Sequence, residues 1–194
     1  MPPLVLIPRR FEDERGWFCE TWNKDRLART GIAIAFCQDN HSLSGPAGTV
    51  RGLHFQSPPH AQTKLVRCLR GRIFDVIVDI RRTSPTFGQW AGAELSADNG
   101  RQLLVPKGYA HGFLTLEPNC EVAYKVDDFY APDCDGGLAW NDPAIGIDWP
   151  FGADAGLPGP VLSAKDAALP PLSTLPVDFP YDGVPLQPLR EIRI

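Results

Sequence analysis

Apolar positions in this chain come in short runs separated by turn residues, and stretches with a helical period are scarce. Residues 64–80, KLVRCLRGRIFDVIVDI, read as a hairpin turning near Arg70 and Gly71, with a Val/Ile-rich second arm. Residues 101–116, RQLLVPKGYAHGFLTL, and 120–130, CEVAYKVDDFY, predict two more strand regions separated by the turn-forming EPN. The clearest helical stretch is NKDRLARTGI, residues 23–32, where Asn23 can cap the start and Gly31 sits where a left-handed C-terminal cap belongs. Short strands at this spacing predict an all-β fold, an antiparallel sandwich or barrel of the jelly-roll kind with a few short helices, rather than alternating βα units.

The pattern changes from Pro150 onward. Nine of the 20 prolines fall in residues 150–194, which excludes a long helix or a central strand there. Within this stretch LSAKDAAL, residues 162–169, predicts a short helix capped by Ser163, with Asp166 at the capping-box position. The expected organisation is a single domain over residues 1–170 followed by an extended Pro-rich arm, 171–194, lying over the body or over a partner subunit.

Composition adds limits. The chain has 194 residues, 43% hydrophobic and 22% charged, enough for one domain with a substantial core. A net charge of -4 argues against nucleic-acid binding, which needs a clustered basic surface. No run is long and apolar enough for a membrane span or a signal sequence, so a soluble cytoplasmic protein is expected. Five cysteines, odd in number, spread out and without C-x-x-C, point to reduced thiols rather than a disulfide framework or zinc knuckle.

Candidate chemistry centres on GTVRGLHFQ, residues 48–56, a strand-like run that carries Arg51 and His54. A regular strand points residues three apart to opposite faces, and Gly52 between them fits a bulge that would turn both inward. PKGYAHGF presents His111 in a P-x-G-x-x-H turn, half of the metal signature of cupins. The other half, H-x-H with a following glutamate, is replaced here by His54-Phe55-Gln56, and no glutamate follows before Glu94. Two histidines make a poor transition-metal site, so no metal is expected. His41 could be structural or line a cleft, and His60 reads as a solvated loop residue. Dinucleotide, P-loop and serine-hydrolase motifs are missing too, which leaves acid–base chemistry without a cofactor. Tyr124 shares a face with Val122 and Val126 on strict alternation. A core tyrosine and an acid at a cavity rim fit it equally well on this basis, and Arg15, Arg51 and Lys64 could be ordinary surface charges.

Taken in order, FEDERGWF, FCQDNHS, GTVRGLHFQ, AQTKLVRCLRGRIFDVIVDIR, SPTFGQW, LSADNGRQLLVPKGYAHGF, AYKVDDFYAP, WNDPAIGIDWP and LSAKD resemble the dTDP-4-dehydrorhamnose 3,5-epimerases, from about residue 8 to about residue 170. The resemblance implies a metal-free, cupin-type jelly roll that forms a homodimer, with strands or arms reaching between subunits, acting on a dTDP-sugar in dTDP-L-rhamnose synthesis. It assigns His54 as general base, Asp166 as the carboxylate that pairs with it, Tyr124 as general acid and Lys64 as the lysine beside the sugar's 4-keto oxygen. It places Arg15, Phe18, Glu20, Gln38, Asn40, Arg51, Lys64, His111, Asp135 and Lys165 among residues that hold the sugar nucleotide. Two departures from the family pattern stand out: Phe129-Tyr130 replaces a pair of tyrosines, and Asp135 stands where a glutamate is usual. A relative inverting only one carbon, or acting on another 4-keto nucleotide sugar, shares these motifs.

Overall fold

A computed structural model describes residues 1–152, 156, 157 and 159–194. Eleven strands among the described residues build two facing sheets. The six-stranded sheet has the order β13 (Arg190–Arg193), β1 (Leu4–Ile7), β9 (Gln102–Val105), β6 (Lys64–Arg70), β11 (Cys120–Val126), β4 (Gln38–Ser44). The five-stranded sheet runs β12 (Asp135–Gly137), β5 (Val50–Gln56), β10 (Tyr109–Thr115), β7 (Arg72–Asp79), β8 (Trp90–Ser96). Pairing is antiparallel throughout except between β1 and β13, which makes a jelly roll of the cupin type. A separate hairpin, β2 (Arg10–Asp13) with β3 (Gly16–Cys19), stands outside both sheets. Among the described residues no helix is long and apolar enough to cross a membrane.

Alternation decides which side chains meet between the sheets. Val66 and Cys68 of β6 and Val122 of β11 face Ile73 and Ile77 of β7 and Tyr109 and Phe113 of β10. The opposite face of the five-stranded sheet, with Val76, Val78, Ala110 and Leu114, is covered by Leu138, Trp149, Leu172, Leu175 and Phe179. Strand β7 is thus apolar on both faces because both are buried, and the Pro-rich tail supplies part of the cover. Each of these tail side chains contributes about 1.5–3 kcal/mol by leaving water. Further along, Asp182 pairs with Arg81 at 2.8 Å, and β13 closes the tail as an edge strand beyond the last proline. Helix α1 (Lys24–Arg29) covers the outer face of the six-stranded sheet through Leu27, and Asn23 caps it by accepting from the Asp25 and Arg26 amides.

The 64–80 segment corrects one expectation. Strands β6 and β7 flank Gly71 but do not pair; β6 joins β9 and β11, whereas β7 joins β10 and β8. Gly71 turns the chain from one sheet to the other at φ +76°, and a Cβ there would meet Cys120 Sγ at 2.7 Å. The hydrophobic pattern marks a turn between strands, but partner choice is a tertiary matter, set here by the need to cover β7 on both faces.

Candidate active site

Strand β5 carries the first functional group. His54 lies opposite His111 of β10, and Arg51 lies opposite Phe113, so three steps on β5 match two on β10. The extra residue is a bulge that puts Arg51 and His54 on one face. Gly52 permits it: its φ is +110°, and an added Cβ would meet the His111 carbonyl oxygen at 2.7 Å and Gly112 Cα at 2.8 Å.

His54 Nε2 lies 2.6 Å from Asp166 Oδ1. Asp166 comes from α2 (Ala164–Ala167), whose Ser163 cap accepts from the Asp166 amide and donates from Oγ to Asp166 Oδ2 at 2.9 Å. Both carboxylate oxygens are therefore held, and Nε2 is the ring nitrogen engaged. Burial lowers the His54 pKa below its ordinary value; Asp166 opposes this, while Lys64 and Lys165 add to it. The imidazole is neutral at neutral pH, the form that can accept a proton.

Two groups from the six-stranded sheet face it. Lys64, at the start of β6, is buried, and its Nζ donates to the His54 carbonyl oxygen at 3.3 Å. Burial pulls its pKa down to about 8, partly offset by Asp75 and Asp135. Tyr124 of β11 points between the sheets, and burial raises its pKa, with Arg51 acting in the opposite direction. The hydroxyl stays protonated through neutral pH.

These groups line one cavity of about 230 Å³, whose wall includes Gln38, Asn40, His54, Lys64, Tyr124, Asp135 and Lys165. Lys165 pairs with Asp135 across its mouth. Arg51 is fixed beside it, Nε donating to Ser44 Oγ and Nη2 to the Leu43 carbonyl, both at 3.0 Å. His111 is buried behind His54 against Asp75, Nε2 to Oδ1 at 2.7 Å. Arg15, Phe18 and Glu20 are not part of the wall. Arg15 pairs with Asp13 at the tip of the β2–β3 hairpin, Phe18 is 69% exposed, and Glu20 pairs with Arg26 at 3.3 Å. His41 faces a different pocket on the outer side of the six-stranded sheet and lies 3.1 Å from Glu121.

Sequence reasoning missed Gln56 and Gln62 in the wall and Asp75 behind it, whereas Tyr130, singled out with Phe129 as a departure from the family pattern, also lines the cavity. Gln56 was within reach, because it alternates onto the His54 face. Its Oε1 accepts from the Ala131 amide and its Nε2 donates to the His60 carbonyl, tying two loops to the cavity rim. Asp75, an acid in an apolar strand buried on both faces, signalled an internal partner.

A sequence model described as dTDP-4-dehydrorhamnose 3,5-epimerase matches residues 3–174. The chain belongs to that family. It is an isomerase. The Sinorhizobium fredii dTDP-4-dehydrorhamnose 3,5-epimerase is 51% identical over 177 residues, 91% of this chain and 88% of the relative. Among solved structures, the Bacillus anthracis dTDP-4-dehydrorhamnose 3,5-epimerase with TDP and PPi bound is 54% identical with a TM-score of 0.82, covering 87% of this chain and 93% of its own. The Legionella pneumophila dTDP-6-deoxy-D-glucose-3,5-epimerase, in complex with dTDP-4-keto-L-rhamnose, is 42% identical with a TM-score of 0.84, covering 91% and 93%.

Proposed function

We propose that this epimerase inverts C3 and C5 of dTDP-4-dehydro-6-deoxy-D-glucose, giving dTDP-4-dehydro-L-rhamnose, through His54 and Asp166 as base, Tyr124 as acid and Lys64 as the group facing the 4-keto oxygen. The observation that carries it is the His54–Asp166 pair opening into the cavity that Lys64 and Tyr124 also line.

The C4 carbonyl acidifies the protons on C3 and C5. The ring nitrogen of His54 not held by Asp166 takes one of them, and Asp166 stabilises the resulting imidazolium. The electron pair moves onto O4, where the buried Lys64 ammonium stabilises the enolate in a water-poor site. Tyr124 projects from the facing sheet, so its proton reaches the carbon from the side opposite His54, and the configuration inverts. Its raised pKa keeps that proton in place until a basic enolate carbon accepts it. Arg51 and Lys165 supply positive charge for the diphosphate, and Gln38 and Asn40 supply amide groups for the sugar nucleotide. His111 is not in the cavity wall; buried on Asp75 opposite His54, it supports the strand that carries the base.

Arg15, Phe18 and Glu20 join the site in a homodimer, where the β2–β3 hairpin of one copy reaches the cavity of the other. The exposure of Trp17 and Phe18 on that hairpin supports this reading, since large aromatic side chains so exposed mark an interaction surface. Incubation of the enzyme with the 4-keto sugar nucleotide in D2O tests the reaction. Deuterium at both C3 and C5 is expected; label at one carbon alone would make it a mono-epimerase, and no label would overturn the acid–base mechanism.

A further inference from the structure

Asp166 sits on a helix of only four residues, too short to be stable without tertiary anchors. On its N-terminal side the anchor is backbone: the Val161 amide donates to the Gly48 carbonyl at 2.8 Å, and the Val50 amide to the Val161 carbonyl at 2.9 Å, tying the segment to the start of β5. On its C-terminal side the anchor includes a side chain. The Leu172 amide donates to Asp142 Oδ2 at 2.6 Å, while Asp142 Oδ1 accepts from the Ala144 amide at 2.8 Å.

We propose that Asp142 is a positioning residue for catalysis, holding the C-terminal end of α2 so that the Asp166 carboxylate stays on His54. The contacts form a closed circuit. Gly137 of β12 pairs with His54 on β5, and Asp142 follows β12 and binds Leu172. The chain then runs back through Pro170, whose carbonyl accepts from the Ala139 amide at 2.8 Å, and through Leu169 to Asp166 and so to His54. Leu169 lies over Gly137 so closely that a Cβ there would meet Leu169 Cδ2 at 2.7 Å. Among the described residues, Asp142 is the one side-chain hydrogen-bond link in this circuit apart from the His54–Asp166 pair itself.

The residue type fits the task. Asp142 is buried, and among the described residues its carboxylate accepts only from backbone amides. Two N–H donors aimed at two oxygens need a carboxylate, because an asparagine offers one acceptor and turns an N–H₂ toward the other donor. Burial of a charge without a cation is costly, and it is retained here where the chain must be held to within hydrogen-bond tolerance of a reacting group.

The inference rests on the proposed role of the His54–Asp166 pair, so its test separates the two. Asp142→Ala and the milder Asp142→Asn are compared in the wild-type and Asp166→Ala backgrounds. If Asp142 acts through Asp166, Asp142→Ala lowers kcat about 10- to 100-fold in the wild-type background, more than it raises KM, and lowers it less than about twofold further in Asp166→Ala. Asp142→Asn, which keeps one acceptor, falls between, and serves alone should Asp142→Ala not fold. Equal losses in both backgrounds, or an unchanged kcat in a folded Asp142 variant, would overturn the proposal. Wild-type activity in Asp166→Ala would instead remove the role of the pair itself.

Discussion

Two hydrogen-bonded histidine–aspartate pairs among the described residues have nearly equal geometry, His54 with Asp166 at 2.6 Å and His111 with Asp75 at 2.7 Å, and the two histidines face each other across β5 and β10. Surroundings separate them. The His54 side chain is 31% exposed and opens into the cavity, whereas the His111 side chain is 8% exposed and its aspartate is fully buried on β7. Asp166 reaches His54 from a short helix in the Pro-rich region, on a segment held by backbone anchors and Asp142. Asp75 is part of the jelly-roll core and cannot move without the sheet. In the proposed mechanism the same pair serves as a base where a substrate carbon can approach it, and as a rigid support where none can. Asp75 Oδ2 has no hydrogen-bond partner among the described residues, and its charge helps keep Lys64 protonated despite burial.

This contrast breaks most sharply by deleting each ring. His54→Ala removes the base and is expected to lower kcat by about 10²–10⁴-fold with little loss of thermal stability, measured by product formation and melting temperature. A comparable loss in His111→Ala at unchanged stability would erase the distinction. The pH dependence of kcat/KM comes next in size. Lys64, with its pKa pulled down to about 8, loses its charge as pH rises through that value, so activity falls about tenfold per pH unit above it rather than near the ordinary lysine value. On the acid side the fall begins only below the ordinary histidine range, because His54 is depressed and stays neutral above it. The smallest effect is expected from His111→Asn, a few-fold rise in KM together with a lower melting temperature, read by steady-state kinetics and calorimetry, since it unpairs buried Asp75.

Much of this was legible in the residues. The strand-and-turn rhythm announced an all-β fold, Asn23 and Ser163 announced two helix starts, and the order of motifs around His54, Tyr124 and Asp166 announced the epimerase family. The bulge at Gly52 was legible too, from a glycine between two polar residues three apart. Two features were not. The β6–β7 turn reads as a hairpin because local pattern carries no information on which strand lies across the sheet. The distance of Arg15, Phe18 and Glu20 from the cavity is a property of the hairpin's direction, which a two-stranded ribbon outside both sheets does not encode in its alternation.

The central claim is that His54 removes protons from one side of the sugar and Tyr124 returns them from the other. Solvent deuterium exchange at C3 and C5, followed by NMR in His54→Ala and Tyr124→Phe beside the wild type, tests it most directly. No exchange is expected in His54→Ala, and in Tyr124→Phe exchange continues while inverted product fails to accumulate. Exchange that persists in His54→Ala, or wild-type inversion by Tyr124→Phe, would contradict it.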